Sequence, residues 1–310
     1  MKPKVYIIIV TYNAMRWVER CMQSIKTSAF KAEVVVIDNC SKDETVNYLR
    51  EKWPQVKLIV NSENRGFGQA NNQGIEYAYK QGSTHFFLLN QDAYLYEDTI
   101  GRLVAVQDKY NIALVSPIHL NGDGTMMDYN FFEKIVLREK NIKYVSDLEL
   151  GQVDEYYPVF KINAAAWMLS RRAVEEIGGF DPIYFHYGED GNYCQRLKYH
   201  GEKCVFVPKA YVHHDRILQG NMKVYKQQQI IMHLLYSYTD VNSKPLKITK
   251  DRIVLHCWHI KLAFASLFKL DFTSFSNVMN GYWKFFGKLG QISKSIKTNK
   301  TKGHSWLKLS

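Results

Sequence analysis

Four short apolar runs, each closing on polar residues, constrain this chain more than any other feature. Residues 5–10 (VYIIIV) end at Thr11-Tyr12-Asn13, and 33–37 end at Asp38-Asn39. Residues 56–60 end at Asn61, and 86–89 (FFLL) run into Asn90-Gln91-Asp92. Runs of this length with apolar residues on both faces are buried strands. Between them the spacing predicts helices over 14–28, 45–52 and 69–81. This alternation builds βαβ units, hence an α/β fold with a mostly parallel central sheet and helices on both faces. The carboxyl ends of such strands share one edge, where ligands bind. Tyr12, Asn13, Asp38, Asn39, Asn61 and Asp92 gather there. Taken singly, each is better read as a helix cap or turn former. A whole edge lined this way points to a ligand site.

Beyond Asp92 the rhythm loosens. Residues 99–110 read as a helix, 113–117 as a short strand and 121–125 (NGDGT) as a turn. Residues 126–158 show no strong period, as a mobile or acceptor-facing segment would. Residues 161–170 are apolar, 171–177 form a short helix stopped by Gly178-Gly179, and 203–207 form a late strand closed by Pro208. Residues 221–243 read as a helix with a polar front. Residues 253–270 are apolar over most of a helix circumference, which suits either packing on the body or a membrane interface. Residues from 293 on are rich in Lys, Ser and Thr and read as mobile.

Charge separates the two ends. Residues 244–310 hold 13 Lys and Arg against 2 Asp and Glu, and residues 1–243 hold 28 of each. A neutral body argues against a nucleic-acid groove. The basic end suits an anionic membrane surface or another polyanion. No uncharged apolar stretch reaches the roughly 18 residues of a spanning helix. The first apolar run is strand length, which is too short for a secretory signal. The five cysteines form no C-x-x-C pair, which argues against a zinc knuckle or a redox motif. Scattered thiols suit a reducing cytoplasm. A dinucleotide oxidoreductase needs G-x-G-x-x-G after the first strand, and a nucleotidyltransferase needs a Gly-rich loop with an Arg there. Tyr12-Asn13-Ala14-Met15-Arg16 contains no glycine.

Six motifs then stand in a telling order. They are Val10-Thr11-Tyr12-Asn13; Asp38-Asn39-x-Ser41-x-Asp43-x-Thr45; Asn64-Arg65-Gly66-Phe67-Gly68-x-Ala70-x-Asn72-x-Gly74; Asn90-Gln91-Asp92; Gly178-Gly179-Phe180-Asp181; and Glu189-Asp190 with Arg196 following. Together they resemble glycosyltransferase family 2, inverting nucleotide-sugar transferases of GT-A fold, and its rhamnosyltransferase-like members in particular. The resemblance covers roughly residues 4–216. It implies a GT-A domain over 1–216 and leaves a helical, basic region over 217–310, a candidate for membrane-surface contact.

The resemblance also implies roles. A UDP- or dTDP-sugar donor is expected, with Asp38 accepting from a pyrimidine N–H and Thr11, Tyr12 and Asn13 beside the base. Asn39, Asn64, Arg65, Gly66, Asn72, Asn90 and Gln91 join the nucleotide-sugar contacts, glycine allowing close backbone approach. The diphosphate gains negative charge as it leaves, and a divalent ion offsets that charge. Asp92 is the implied direct ligand of Mg²⁺ or Mn²⁺, which favour hard oxygen donors. His213 or His214 is a second ligand, with His213 preferred for its place after Val212. Asp190 is the implied base for the acceptor hydroxyl, with Glu189 as orienter or acceptor contact. Adjacent helical residues point about 100° apart, so the two do not share one job.

The implied acceptor is a glycan or a polyprenyl-diphosphate-linked glycan. The implied setting is bacterial surface polysaccharide synthesis, in the cytoplasm or peripheral on the inner face of the cell membrane, with no nucleic-acid partner. A degenerate polysaccharide-binding or scaffold module would have lost Asp92 or Asp190, and both are present. The chain departs from the pattern at Asn192, where relatives often carry a third acid, and at Ala165, where they carry Gly.

Overall fold

A computed structural model describes residues 2–138, 140–216, 222–243 and 245–309, with the backbone alone at 222–228 and 245–249. The first half follows the expected alternation: β1 (Val5–Thr11), α1 (Val18–Lys26), β2 (Glu33–Asp38), α2 (Thr45–Lys52), β3 (Lys57–Val60), α3 (Phe67–Lys80) and β4 (His85–Asn90). Then come β5 (Ala93–Leu95), α4 (Thr99–Tyr110), β6 (Leu114–Asn121), α5 (Tyr129–Phe132), a π-helical turn (Glu133–Arg138), α6 (Ile142–Glu149), β7 (Tyr157–Pro158), β8 (Ala166–Ser170), α7 (Arg171–Glu176), α8 (Glu189–Tyr199) and β9 (Cys204–His214).

One sheet carries these strands in the order β3-β2-β1-β4-β8-β6-β9-β5, with β7 also paired to β9. β8 runs antiparallel between β4 and β6, and the short β5 and β7 are antiparallel to β9. The other six strands point the same way. Side chains alternate across the sheet, and each face has its own core. Ile8, Ile37, Phe86, Leu88 and Trp167 pack on one face. Ile7, Ile9, Val36, Phe87 and Met168 pack on the other. Each such fully buried side chain contributes about 1.5–3 kcal/mol. α3 can lie close on β1 and β2 because residue 74 is glycine. A Cβ there would stand 2.3 Å from Ile8 Cγ2 and 2.7 Å from Ile37 Cδ1.

Three expectations are corrected. Residues 126–138 and 140–158 form short packed elements: Phe131, Tyr144 and Tyr157 converge on Phe206 from three of them. Their spacing in the chain follows no single period, which hid the packing. The last strand does not close at Pro208 but continues to His214. β6 pairs Pro117 with Val207 and the next residue, Ile118, with Tyr211. Pro208 therefore sits in a bulge, where no ladder hydrogen bond is asked of it.

The third correction concerns the residues from 293 on. They begin within α12 (Leu289–Asn299), the last of four helices after α9 (Met222–Tyr238), α10 (Pro245–Phe268) and α11 (Phe272–Phe286). Leu234, Val278, Phe285 and Ile292 from these helices share a core with Ile183 and Tyr184. The final segment then returns to the sheet domain. Gly179 N donates to Ser305 O at 2.8 Å, and Leu307 is buried in the core beneath α3. The buried Asp181 accepts from Ser295 Oγ at 2.5 Å and Asn299 Nδ2 at 2.8 Å. The chain from 217 to 221, where the boundary between the two regions is expected, lies outside the described residues.

Candidate active site

At the carboxyl edge of β1 and β2, the motif residues mainly hold one another. Thr11 Oγ1 donates to Asp38 Oδ1 at 3.0 Å, and Ser41 donates to Asp38 through Oγ at 2.5 Å and through N at 2.9 Å. Asp38 is 0% exposed. Its carboxylate fixes the turn after β2 through these bonds. Asp43 and Thr45 do the same for the first loop. Thr45 Oγ1 donates to Asp43 Oδ1 at 2.6 Å and accepts from Ala14 N at 2.8 Å. What this scaffold presents to solvent is Tyr12, 46% exposed, and Asn13. Gln91 ties that loop to the end of β4, accepting from Tyr12 N at 2.7 Å and donating to Tyr12 O at 3.3 Å.

The glycine turn is shaped by Asn39. Asn39 Nδ2 donates to Asn64 Oδ1 at 2.9 Å, and its Oδ1 accepts from Arg65 N at 2.9 Å. Gly66 has φ of +79°, and a Cβ there would lie 2.0 Å from Phe185 O. Phe67 N donates to that same oxygen at 3.2 Å. The loop leading to the acid pair therefore rests on the turn before α3. Gly68 extends the contact: a Cβ there would stand 3.7 Å from Glu189 Cβ. Asn72, expected among the ligand contacts, lies behind this surface. Its amide accepts from Phe180 N at 2.7 Å and donates to Phe180 O at 2.8 Å. Both polar atoms are committed, so Asn72 clamps the 178–181 loop. Asn90 differs. Its buried Oδ1 has no hydrogen-bond partner among the described residues.

Of the two histidines, His214 is the neighbour of Asp92, with Nε2 at 3.5 Å from Oδ1. Consecutive strand residues face opposite sides, so His213 turns away. It stacks on Tyr96 with ring centres 4.8 Å apart, and with Arg20 and Tyr94 it lines a separate cleft of about 470 Å³. The preference for His213 is corrected accordingly. His214 Nδ1 accepts from Arg216 Nε at 3.1 Å, which puts the ring proton on Nε2, facing Asp92. Arg216 Nε is also 3.0 Å from Asp128.

α8 carries the acids. Gly188, at φ of +98°, caps it, and Glu189 and Asp190 fill its first turn, where the helix dipole favours anions. Glu189 is buried, with Oε2 unpartnered among the described residues. Burial and the charge of Asp190 hold its carboxyl well above the usual range. Asp190 is partly buried and accepts from Gly191 N at 2.6 Å through Oδ1. The charges of Asp190 and Arg216 both act on Lys134, which links the acid pair to the Asp92 side of the edge. Lys161 likewise feels Asp190 and Glu189.

Reading the sequence missed Lys134, Lys161 and Arg216. Lys134 lies in the segment without a period. The visible signal for Lys161 was one lysine heading an otherwise apolar run. For Arg216 it was a cation two residues after the histidines.

Residues 6–178 match the family described as glycosyl transferase family 2. Among curated relatives, the low-salt glycan biosynthesis hexosyltransferase of Haloferax volcanii is 26% identical over 62% of this chain and 61% of its own length. The dTDP-rhamnosyl transferase RfbF of Shigella flexneri is 23% identical over 67% of this chain and 68% of its own. The N-acetylglucosaminyl-diphospho-decaprenol L-rhamnosyltransferase of Mycobacterium tuberculosis is 24% identical over 68% and 75%. The match thus spans about three fifths to three quarters of these relatives.

Among solved structures, a mannosyltransferase from Pyrobaculum calidifontis in complex with GDP-Man and Mn²⁺ aligns with a TM-score of 0.56 at 18% identity. That alignment covers 91% of this chain and 74% of that one. Staphylococcus aureus TarS 1-349 in complex with UDP-GlcNAc aligns with a TM-score of 0.56 at 15% identity, covering 94% and 81%. The fold is of GT-A type. With the matched stretch spanning more than half its length, the chain belongs to glycosyl transferase family 2.

Proposed function

We propose that this chain is an inverting glycosyltransferase. It moves a sugar from a nucleoside diphosphate sugar, a UDP- or dTDP-sugar, to a hydroxyl of a glycan or lipid-linked glycan in bacterial surface polysaccharide synthesis. The observation that carries this reading is the seating of the acid loop on the glycine turn, with Phe67 N bonded to Phe185 O at 3.2 Å. It ties the end carrying Asp190 to the edge carrying Tyr12, Asn13 and Asp92. The curated rhamnosyltransferase relatives support the donor and acceptor classes.

In this reading Tyr12 and Asn13 flank the base and the backbone at Gly66 approaches the donor. Asp190 faces the acceptor hydroxyl. The hydroxyl attacks the anomeric carbon from the face opposite the diphosphate, and its proton passes to Asp190. A new bond forms from the hydroxyl oxygen to that carbon. The bond from the carbon to the diphosphate oxygen breaks with its electron pair on the phosphate, and configuration inverts.

Metal assistance is part of the proposal. Among the described residues no group of three or more His, Cys, Asp or Glu side chains could hold an ion. Asp92 and His214 offer two donors 3.5 Å apart. A hard divalent ion commonly takes one or two carboxylates and draws its other ligands from phosphates and water, so Asp92 fits. His214 fits only when Arg216 withdraws from Nδ1 and the ring proton moves there. Bound Mg²⁺ or Mn²⁺ would offset the charge on the leaving diphosphate.

The exposed apolar residues of α10 and α11, among lysines, support a peripheral place on an anionic membrane. Among the described residues no helix is long and apolar enough to cross one.

Asp190→Asn tests the core of the reading. It should lower turnover by about 10²–10⁴-fold, the usual worth of a general base. Donor binding should survive, read as thermal shifts with a panel of nucleoside diphosphate sugars with and without Mn²⁺. Turnover near that of the parent would reject Asp190 as the base. The absence of any nucleotide-dependent shift would reject the transferase reading.

A further inference from the structure

The cleft lined by His213 has no part in the transfer reaction described above. It lies between α1 and the paired strands β5 and β9, holds about 470 Å³, and is walled chiefly by Arg16, Glu19, Arg20, Gln23, Tyr94 and His213. That volume falls within the range of small-molecule sites. Its wall on the α1 side runs from Met15 to Thr27, about 18 Å at helical rise. It is a trough, and far longer than a single small ion.

Charge is the first clue to its occupant. Arg16 stands in the turn entering α1 and Arg20 in its first turn, and Glu19 is the one acid among the described residues of the lining. The start of a helix disfavours cations, so both arginines stand against the dipole of α1. Among the described residues neither guanidinium bonds to an acid or another acceptor. Arg16 lies 5.6 Å from the ring centre of Trp17, and Arg20 lies 4.2 Å from that of Tyr94. Tyr94 is itself fixed, being buried and donating from Oη to Asp215 Oδ2 at 3.1 Å. The ring thus steadies Arg20 while its N–H groups stay uncommitted. A planar fork held in this way reads a carboxylate or a phosphate through two parallel bonds.

The rest of the lining is the second clue. Glu19 and Gln23 are one helical turn apart, and with the arginines they offer paired donors and acceptors that match neighbouring hydroxyls. Tyr94 and His213 set ring atoms opposite them. Flat rings facing a few convergent polar groups suit a ligand with both C–H faces and O–H edges, as sugar rings have. A peptide added as a strand would need the free edge of β5. There Leu95 N already donates to Ser24 Oγ at 3.0 Å.

We propose that the trough between α1 and β5 is a second saccharide site, which takes an acidic glycan and holds its carboxylate or phosphate on Arg20 and Arg16. One end of the trough adjoins the donor edge, since Met15 is two residues past Asn13 and Tyr94 two past Asp92. α1 packs on one face of the sheet and α8 on the other, so the trough is distinct from the place where Asp190 meets the acceptor. Its use in holding a growing glycan rests on the transferase reading; the binding itself does not.

Trigalacturonic acid is the probe, titrated calorimetrically against the full chain with the most stabilising nucleoside diphosphate at saturation, so that the donor site is filled. Binding should persist under those conditions, and neutral maltotriose should bind at least about tenfold more weakly. Arg16→Gln and Arg20→Gln, both at exposed positions, should keep the parent Tm. Each should lose about tenfold or more in affinity, the usual worth of one charge-assisted contact. Lys26→Gln makes the same change of net charge on α1 outside the trough and should bind as the parent does. Glucose 6-phosphate tells the two anionic groups apart: tighter binding than the uronate, lost in Arg20→Gln, would assign the site to a phosphorylated glycan. The proposal is overturned if neither anionic sugar binds, if inorganic phosphate binds as well as both, or if hexaglutamate binds more tightly. Displacement of the probe by nucleoside diphosphate would overturn it too, as would equal losses in Lys26→Gln and the arginine variants. If no nucleoside diphosphate binds, the transferase reading fails by itself, and the same titration without nucleotide still decides the trough.

Discussion

Glu189 occupies the first turn of α8 with its side chain out of water and one oxygen lacking a partner among the described residues. Burial, then the charge of Asp190, raises its pKa. The folded chain therefore holds this proton more tightly than the unfolded chain, whose glutamate titrates near 4.3. That stabilisation is complete below the unfolded value and is lost as pH rises through the folded one. Glu189→Gln, neutral throughout, should raise Tm by roughly 2–4 °C at about pH 8.5, with the gain shrinking toward about pH 5. Thermal melts across that range check it, and a gain that does not vary with pH would remove Glu189 as the titrating group. At this scale the sequence indicated which residues gather but not which way they face. Asp38 ends a strand whether it points at a ligand or at Thr11 and Ser41. The choice between His213 and His214 depends on strand parity, which is settled only by the pairing of β5 with β9.

The glycine turn before α3 couples two elements far apart in the chain, and Gly66 is its hinge point. Gly66→Ala would place a methyl 2.0 Å from Phe185 O at φ of +79°. Turn and acid loop would have to separate, with an expected fall in kcat/KM of about tenfold or more, since even small misplacements at a reacting centre are costly. Gly82→Ala is the control. Its φ of +77° is as strained, but a Cβ there meets nothing within 4 Å. Equal losses in the two variants would mean that backbone strain, not the contact, is responsible.

Elements with one strong period were legible in the sequence: α2 and α4 fall on the expected residues, and β1, β2 and β4 lie within one or two. The segment before β7 was not, because its buried rings come from several short pieces that share a partner rather than a period. β9 was cut short because a proline reads as a stop until a bulge is known to house it.

At the scale of the whole molecule, charge and apolar surface coincide. Residues 244–310 carry the excess of positive charge, and the same helices expose Phe268 at 87% and Trp283 at 81%, with Phe272 and Phe286 nearby. Buried apolar area and attraction to anionic lipid add in such a surface. Phe268→Ser with Trp283→Ser should abolish flotation with vesicles containing anionic lipid while leaving Tm unchanged, because both rings are exposed. Flotation equal to that of the parent would remove the membrane from the account. Deleting the helices outright would answer a different question, since Asp181 depends on them.

That dependence bears on how this protein can be re-engineered. The carboxylate of Asp181 is satisfied by Ser295 and Asn299, and Asn72 donates to Trp306 O as well as to Phe180. A chimaera that grafts the helices of one relative onto the sheet of another, in search of a new acceptor, inherits an unmet charge unless positions 72, 181, 295, 299 and 306 travel together. Sheet and helices are separable in the order of the chain, but they were not built as interchangeable parts.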